Sequence, residues 1–260
     1  MFNLLRVDFY KLRKSIMFKV CFLISLVCAI ALAIVAHEAA SGRMKISVSS
    51  ASGLSDIFIF SILMPFAIGM LVCGDFDNKD IHDEISLGRG TIVISKSIVA
   101  FVTALLLTLP YALVGLICFA SKGEFSQMFA YSTYLSIMCN SLGVGVSAAT
   151  VGKAIVKMIV MGLIYASAFS IGIPIAFKVR KPILAIIIGE VIAFSNAFVV
   201  ELLHSIPGIG KVIELTPYYY TNMPADITNG NLVKYSIYSI VFFALMIGSS
   251  YLIFRKADIK

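Results

Sequence analysis

The chain has 260 residues, of which 60% are hydrophobic and only 13% are charged, and its mean hydropathy is +0.98. Soluble domains carry charge on roughly a quarter of their residues, so this composition excludes that class and predicts an integral membrane protein. The formal charge of +7 does not point to nucleic acid, because the basic residues gather at the ends of apolar runs, where they report orientation.

The first element is amphipathic. In "LLRVDFYKLRKSI", Leu5, Phe9, Leu12 and Ile16 fall at helical spacing on one face, while Arg6, Tyr10, Lys11, Arg13 and Lys14 occupy most of the remainder. This predicts a helix over 1–14 lying at the inner membrane interface. A topology anchor and a functional contact both fit that pattern. Residues 15–36 then supply the first span, since about 20 apolar residues suffice to cross a bilayer. No small-x-small cleavage site with a polar region clearly follows it, so the span is expected to stay as an anchor.

Further spans are expected at about 56–73, 92–119, 155–177, 183–203 and 235–254. A weaker segment at 128–150 contains Ser132, Thr133, Ser136, Asn140, Ser141, Ser147 and Thr150 as well as two glycines. It is read as an outer-face segment, so that 120–154 and 204–234 both lie outside. The basic residues test this choice. With six spans and both termini inside, fourteen lie on the inner side and seven outside, whereas a seventh span at 128–150 gives twelve and nine. The expected architecture is therefore all-α and polytopic, one domain over 1–260 with six transmembrane helices. Pro65, Pro110 and Pro174 can kink spans two, three and four.

Between spans two and three, residues 74–91 concentrate charge. Asp75, Asp77, Asp80, Asp83 and Glu84 are five of the fourteen acidic residues of the chain and fall within ten positions. Asp77 or Asn78 can cap a short helix, nearby acids suit its positive end, and Gly88 and Gly90 stop it. Ile81 and Ile85 would then share an apolar edge. Such a helix suits docking into a basic-rimmed groove of a cytosolic partner, and a solvated connecting loop is the alternative. A metal site at Asp77, Asp80, His82, Asp83 and Glu84 lacks EF-hand spacing and rests on a single His. No metal is expected. Cys21, Cys28, Cys73, Cys118 and Cys139 are odd in number and form no C-x-x-C pair, which leaves them as packing residues.

In span five, Glu190 and Glu201 lie eleven residues apart, about three helical turns, and share a face with Ala193, Ala197 and, slightly rotated, His204. Glu190 lies roughly 10 Å from the inner end of the span at about 1.5 Å per residue. An ionisable group at that depth ordinarily faces protein or a water-filled path. Glu190, Glu201 and His204 are therefore candidates for a translocation path or subunit interface, with Glu190 attracting a cationic substrate. A protonated or hydrogen-bonded Glu between helices also accounts for it. The three cannot ligate one zinc ion, since Glu190 and His204 stand about 21 Å apart along a helix. In the outer segment, Pro207, Pro217 and Pro224 interrupt the chain, and Tyr218, Tyr219 and Tyr220 suit a membrane interface or an exit closure.

Three stretches share one layout: "LLRVDFYKLRKS", "GDFDNKDIHDEISLGRGTIVISKSIV" running into span three, and the tail "YLIFRKADIK". With "LIYASAFSIGIPIAFKVRKPILAIIIGEV", which resembles paired fourth and fifth spans joined by a short basic turn, the chain resembles over nearly its whole length an ABC-2-type permease, the membrane subunit of an ABC exporter. That resemblance implies that the loop after span two is a coupling helix seated in a cleft of the ATPase. It places the docking contacts among Asp77, Asp80, Ile81, His82, Asp83, Glu84 and Ile85, with the N-terminal helix (Arg6, Tyr10, Lys11, Arg13) beside the ATPase. Small permeases of this kind look most like exporters of amphipathic, lantibiotic, bacitracin or phenol-soluble-modulin peptides.

No phosphate-binding loop is present to make the chain its own motor. "IPGIGKVIE" and "SAATVGKAI" place Ser205 and Ser147 where the first glycine belongs, and Val212 and Ala154 after the lysines. The chain is thus expected not to be an enzyme and to bind no cofactor itself. ATP and Mg would be bound by cytosolic ABC ATPase subunits, and a second permease copy or a homologous permease would complete the pore in the cytoplasmic membrane. The other classes considered are a non-transporting receptor or structural membrane protein and an intramembrane hydrolase, the latter without a G-x-S-x-G elbow.

Overall fold

The computed structural model describes residues 2–41, 43, 53–77, 81, 84–120, 132, 134, 147–222 and 229–256. Among them the regular structure is all helical. In chain order the helices are α1 (Phe2–Lys14), α2 (Ile16–Ala40), α3 (Asp56–Asp77), α4 (Arg89–Ala120), α5 (Ala148–Phe169), α6 (Gly172–Val179), α7 (Pro182–His204), α8 (Ile209–Ile213), α9 (Pro217–Asn222) and α10 (Asn229–Arg255), with a 3-10 turn at Ile85–Leu87.

Among the described residues five segments are long and apolar enough to cross a membrane: Ile16–Glu38, Asp56–Asp77, Arg89–Cys118, Ala148–Val179 and Leu232–Arg255. A sixth is obtained when the two halves of α7, bent by 47° between Asn196 and Phe198, count as one span. Helices cover each of the expected apolar runs, and two begin earlier than the sequence predicts. The third begins at Arg89, and the fourth begins at Ala148 and includes both α5 and α6. The early start of α5 has a local cause. Ser147 Oγ accepts from Thr150 N at 3.2 Å and Ser147 N donates to Thr150 Oγ1 at 2.8 Å, a reciprocal cap that satisfies the first turn. Ser147 and Thr150 therefore start a span, where the sequence reading had them close a polar outer segment. Most of 128–150 lies outside the described residues.

The fourth span breaks at Ser170 and Ile171, and Pro174 sits in the first turn of α6, where a missing N–H costs no helical bond. Pro65 and Pro110 lie inside α3 and α4. The turn into α7 is short and basic, as expected: Arg180 ends α6 in the left-handed region at φ 57°, Lys181 is extended, and Pro182 opens α7.

Helices α3 and α7 pack closely because glycines face each other's side chains. A Cβ on Gly189 would lie 2.8 Å from Pro65 Cβ, and one on Gly69 would lie 2.8 Å from Ile186 Cγ1. Small residues at such crossings let backbones approach, which drives association where lipid supplies no hydrophobic force.

Two buried apolar clusters fill the interior of the bundle. At the end where α3 begins, Phe60 packs edge-on against Tyr111, Tyr134 and Tyr165 with ring centres 5.1–6.5 Å apart. Asp56, fully buried, accepts from Tyr134 N at 3.2 Å and Tyr165 OH at 3.3 Å. At the end carrying α1, the second cluster gathers Leu4, Ile68, Val72, Cys73, Ile81, Ile92, Phe177 and Phe254.

Candidate functional site

The site with the densest chemistry lies at the α1 end and is built around Lys96. This residue is on the second turn of α4, and its side chain is only 2% exposed. Burying an ammonium costs several kcal/mol unless it is paired, and three carboxylates from three elements surround it. Its Nζ lies 2.5 Å from Oδ1 of Asp8 on α1, bonds Oδ2 of Asp75 near the end of α3, and lies 3.4 Å from Oε1 of Glu84 in the following loop. Ser95 Oγ donates to the second oxygen of Asp8 at 2.7 Å. From the half-exposed side, Lys11 Nζ reaches Asp75 Oδ1 at 3.1 Å and Glu84 Oε1 at 3.8 Å.

Charge does not quite balance. Among the described residues three carboxylates face two ammonium groups, and Glu84 Oε2 is buried without a hydrogen-bond partner. Burial pushes the Glu84 carboxyl above its ordinary range; Lys96 pulls it back, Asp75 and Asp8 push it further up, and Lys11 offsets a little. One oxygen each from Asp8, Asp75 and Glu84 lies within 4.8 Å of the others, close enough for one cation to bridge. The Lys96 ammonium already contacts all three, so the cluster's counter-ion is a side chain.

A neighbouring junction ties in the end of the chain. Arg89 Nη1 donates to the carbonyls of Arg255 at 2.6 Å and Phe254 at 3.3 Å. The Phe254 ring is fully buried against Phe76 and Phe177, and Arg180 lies 6.0 Å over the Phe76 ring. The two junctions together connect α1, α3, α4, α6 and α10.

The residues singled out from sequence divide into those inside this assembly and those on its surface. Arg6, Tyr10 and Arg13 are exposed on α1, while Lys11 is part of the charge cluster. Asp77 is exposed at the last residue of α3. Ile81 is 2% exposed and packs into the core. It shares an apolar face with Ile85, which is half-buried and packs against the same cluster, and that face is turned inward; Leu87 is the exposed apolar residue of the turn. Glu84 is turned inward. Asp80, His82 and Asp83 lie outside the described residues. Gly88, at φ 94°, separates the turn from α4, whereas Gly90 is inside α4 and stops nothing.

The span-five candidates do not converge. Glu190 is half-buried and Glu201 exposed, and neither is hydrogen-bonded or ion-paired to another described residue's side chain. His204 instead faces Glu214, Nε2 to Oε1 at 3.2 Å, and stacks near Tyr219 with ring centres 5.1 Å apart. A cavity of about 430 Å³ does open between α3, α5, α7 and α9. Ser61, Tyr165, Gly189, Ala193, Asn196 and Tyr218 are among its lining residues, and none of the described lining residues is charged. The tyrosine run turns inward: Tyr220 OH donates to Glu214 O at 2.6 Å and its ring packs on Tyr235.

Asp8 and Lys96 form the central pair of this candidate site, and sequence reasoning missed them as a pair. The available signal was weak: a single acid on a basic helix, and a lysine within an otherwise apolar span. No protein-family model matches the chain, and comparison with curated proteins finds no match.

Proposed function

We propose that this chain is the membrane subunit of an ATP-driven exporter of the ABC-2 permease type. It would work as a pair with a second copy or a homologous permease and move amphipathic or cytolytic peptides out through the cytoplasmic membrane. The α1 end is then cytoplasmic, in line with the excess of basic residues there. Cytosolic ATPase subunits, which bind ATP and Mg, would dock on the exposed residues of α1 together with Asp77 and the exposed turn at Ser86, Leu87 and Gly88.

The observation that carries this reading is mechanical. Lys96 joins α1, the end of α3, the acidic loop and α4 through one ammonium, and Arg89 joins α4 to the end of α10. A displacement applied to the loop would therefore be delivered to several spans at once. Packed elements held by buried ionic contacts move as units, and this is what a force-receiving surface requires.

Reversing charge at Asp80 and Asp83 together tests the proposal in reconstituted vesicles containing the partner ATPase. The expected result is a stably inserted permease whose ATPase is released or hydrolyses ATP without moving peptide. Normal coupling, or repeated purification of the native chain without any nucleotide-binding subunit and without ATP-dependent transport, overturns it.

A further inference from the structure

A cavity of about 550 Å³ lies where α1 meets α2, closed on its far side by α3 and α4. Its size falls in the range of about 300–1,000 Å³ typical of small-molecule sites. Its floor is the Lys96 junction, its walls include Met17, Phe18, Met70 and Leu71, and Lys11 and Lys14 stand on its lining toward α1. Lys14 is exposed, its ammonium lies 5.9 Å over the Tyr10 ring, and it makes no ion pair with any described residue.

The charge around this cavity selects its occupant. The Asp8 and Asp75 carboxylates on the floor are each held by Lys96 or Lys11, and Glu84, the surplus carboxylate of the junction, is not among the cavity's described lining residues, so the lining itself offers a cation no open counter-charge. Lys14 remains as the open charge, beside an apolar trough. The cavity also sits where the basic amphipathic helix gives way to the first apolar span, the depth at which lipid headgroups meet acyl chains. We propose that it binds an anionic phospholipid of the leaflet on which α1 lies, with the phosphate against Lys14 and Lys11 and an acyl chain along Met17, Phe18, Met70 and Leu71. The lipid then closes the gap between α1 and α3 and bears directly on the Lys96 junction. This inference needs no ATPase and is independent of the export reading.

The chain contains no Trp, so one introduced residue is a sole fluorescent reporter. Met70→Trp places it in the trough, and Leu245→Trp, on an exposed face of α10, serves as a bulk-lipid control. Each full-length protein is reconstituted with brominated phosphatidylglycerol or brominated phosphatidylcholine, and quenching is compared. Because one lysine near an anionic lipid surface is worth about 1 kcal/mol, the Met70 reporter is expected to prefer phosphatidylglycerol by about fivefold. The Leu245 reporter should show no preference, and Lys14→Gln should bring the Met70 reporter down to the same level. Soluble glycerol 3-phosphate should not relieve the quenching. Equal preference at the two reporters, or a preference untouched by Lys14→Gln, overturns the proposal, and displacement by glycerol 3-phosphate reassigns the site to a soluble phosphate. If Met70→Trp does not insert, Met17→Trp places the reporter on the α2 side of the trough with the same expectations.

Discussion

Lys96 and Asp8 stand 88 positions apart in the chain and 2.5 Å apart in the fold. Their contact fixes the N-terminal helix to the third membrane span, and Asp75 and Glu84 make the same ammonium a four-way junction. Deleting the cation should therefore be far worse than deleting the whole cluster. Lys96→Leu leaves three buried carboxylates facing one another and is expected to destabilise the protein by about 3–5 kcal/mol. Combining Lys96→Leu with Asp8→Asn and Asp75→Asn should recover a large part of that loss. Equilibrium unfolding in mixed micelles, arranged as a mutant cycle, measures both.

The same cluster predicts a pH dependence with a definite sign. Folded Glu84 holds its proton to higher pH than the unfolded side chain, whose ordinary value is 4.5. Its stabilising contribution is thus complete below 4.5 and is lost as the pH rises through the raised folded value. Asp8, Asp75, Lys11 and Lys96 are the charged groups that face it. Glu84→Gln mimics the protonated form, so it should flatten the stability profile above 4.5 and leave the variant at least as stable as the native chain near neutral pH. Unfolding midpoints across that range, compared between the two proteins, test the slope.

How much of this was legible in the sequence depends on whether the signal is local. The six apolar runs, the basic turn at Arg180 and Lys181, and the amphipathic N-terminus are periodicity and composition, and they reappear as helices and a turn. On α1 the positions buried against the protein are Leu4, Asp8 and Leu12, while Leu5 and Phe9 of the predicted interfacial face are half-buried, so the protein-facing side is a second face that the periodicity does not single out. A carboxylate on the buried face violates the apolar pattern and is tolerated only because Lys96 arrives from another helix. Ile81 shows the same limit. Its spacing from Ile85 predicts a shared apolar edge, and both residues do pack on one cluster; that this edge faces the core is what no local pattern encodes.

That burial changes which loop substitutions are informative. Ile81→Asp places a carboxylate at a position 2% exposed among apolar neighbours and is expected to cost about 3 kcal/mol or more, lowering membrane yield. Asp77→Lys alters an exposed side chain at the end of α3 and should leave folding within about 0.5 kcal/mol. Comparing the yield of monodisperse protein for the two variants checks the contrast.

Close approach of α3 and α7 can be tested at its narrowest point. An added Cβ at Gly189 meets Pro65 Cβ at 2.8 Å, and a proline ring inside a helix cannot swing away. At Gly69 the same addition meets Ile186 Cγ1 at 2.8 Å, with the Ile186 backbone N at 3.4 Å; χ1 of a β-branched residue in a helix is stiff, yet it gives way more readily than a proline ring. Nothing lies within 4 Å of a Cβ at Gly152. Gly152→Ala should accordingly stabilise α5 by up to about 1 kcal/mol. Gly189→Ala should destabilise by about 1–3 kcal/mol, with Gly69→Ala between them. Thermal unfolding in one detergent would show whether this order holds.

Glu190 offers the sharpest test of cargo. It follows Gly189, yet none of the described residues lining the cavity that Gly189 helps form is charged, so the carboxylate is not part of that chamber. It is half-buried, and at its depth an ionised carboxylate requires water, a second subunit or a passing cation as counterpart. If a cationic peptide supplies that counterpart, Glu190→Gln should reduce its ATP-dependent export several-fold while leaving oligomer size unchanged, and an uncharged peptide analogue should be exported as before. If instead the carboxylate serves helix packing between subunits, Glu190→Gln should alter the oligomer and affect both peptides alike. Transport of the two peptides by one vesicle preparation, with oligomer size measured in parallel, separates the two roles.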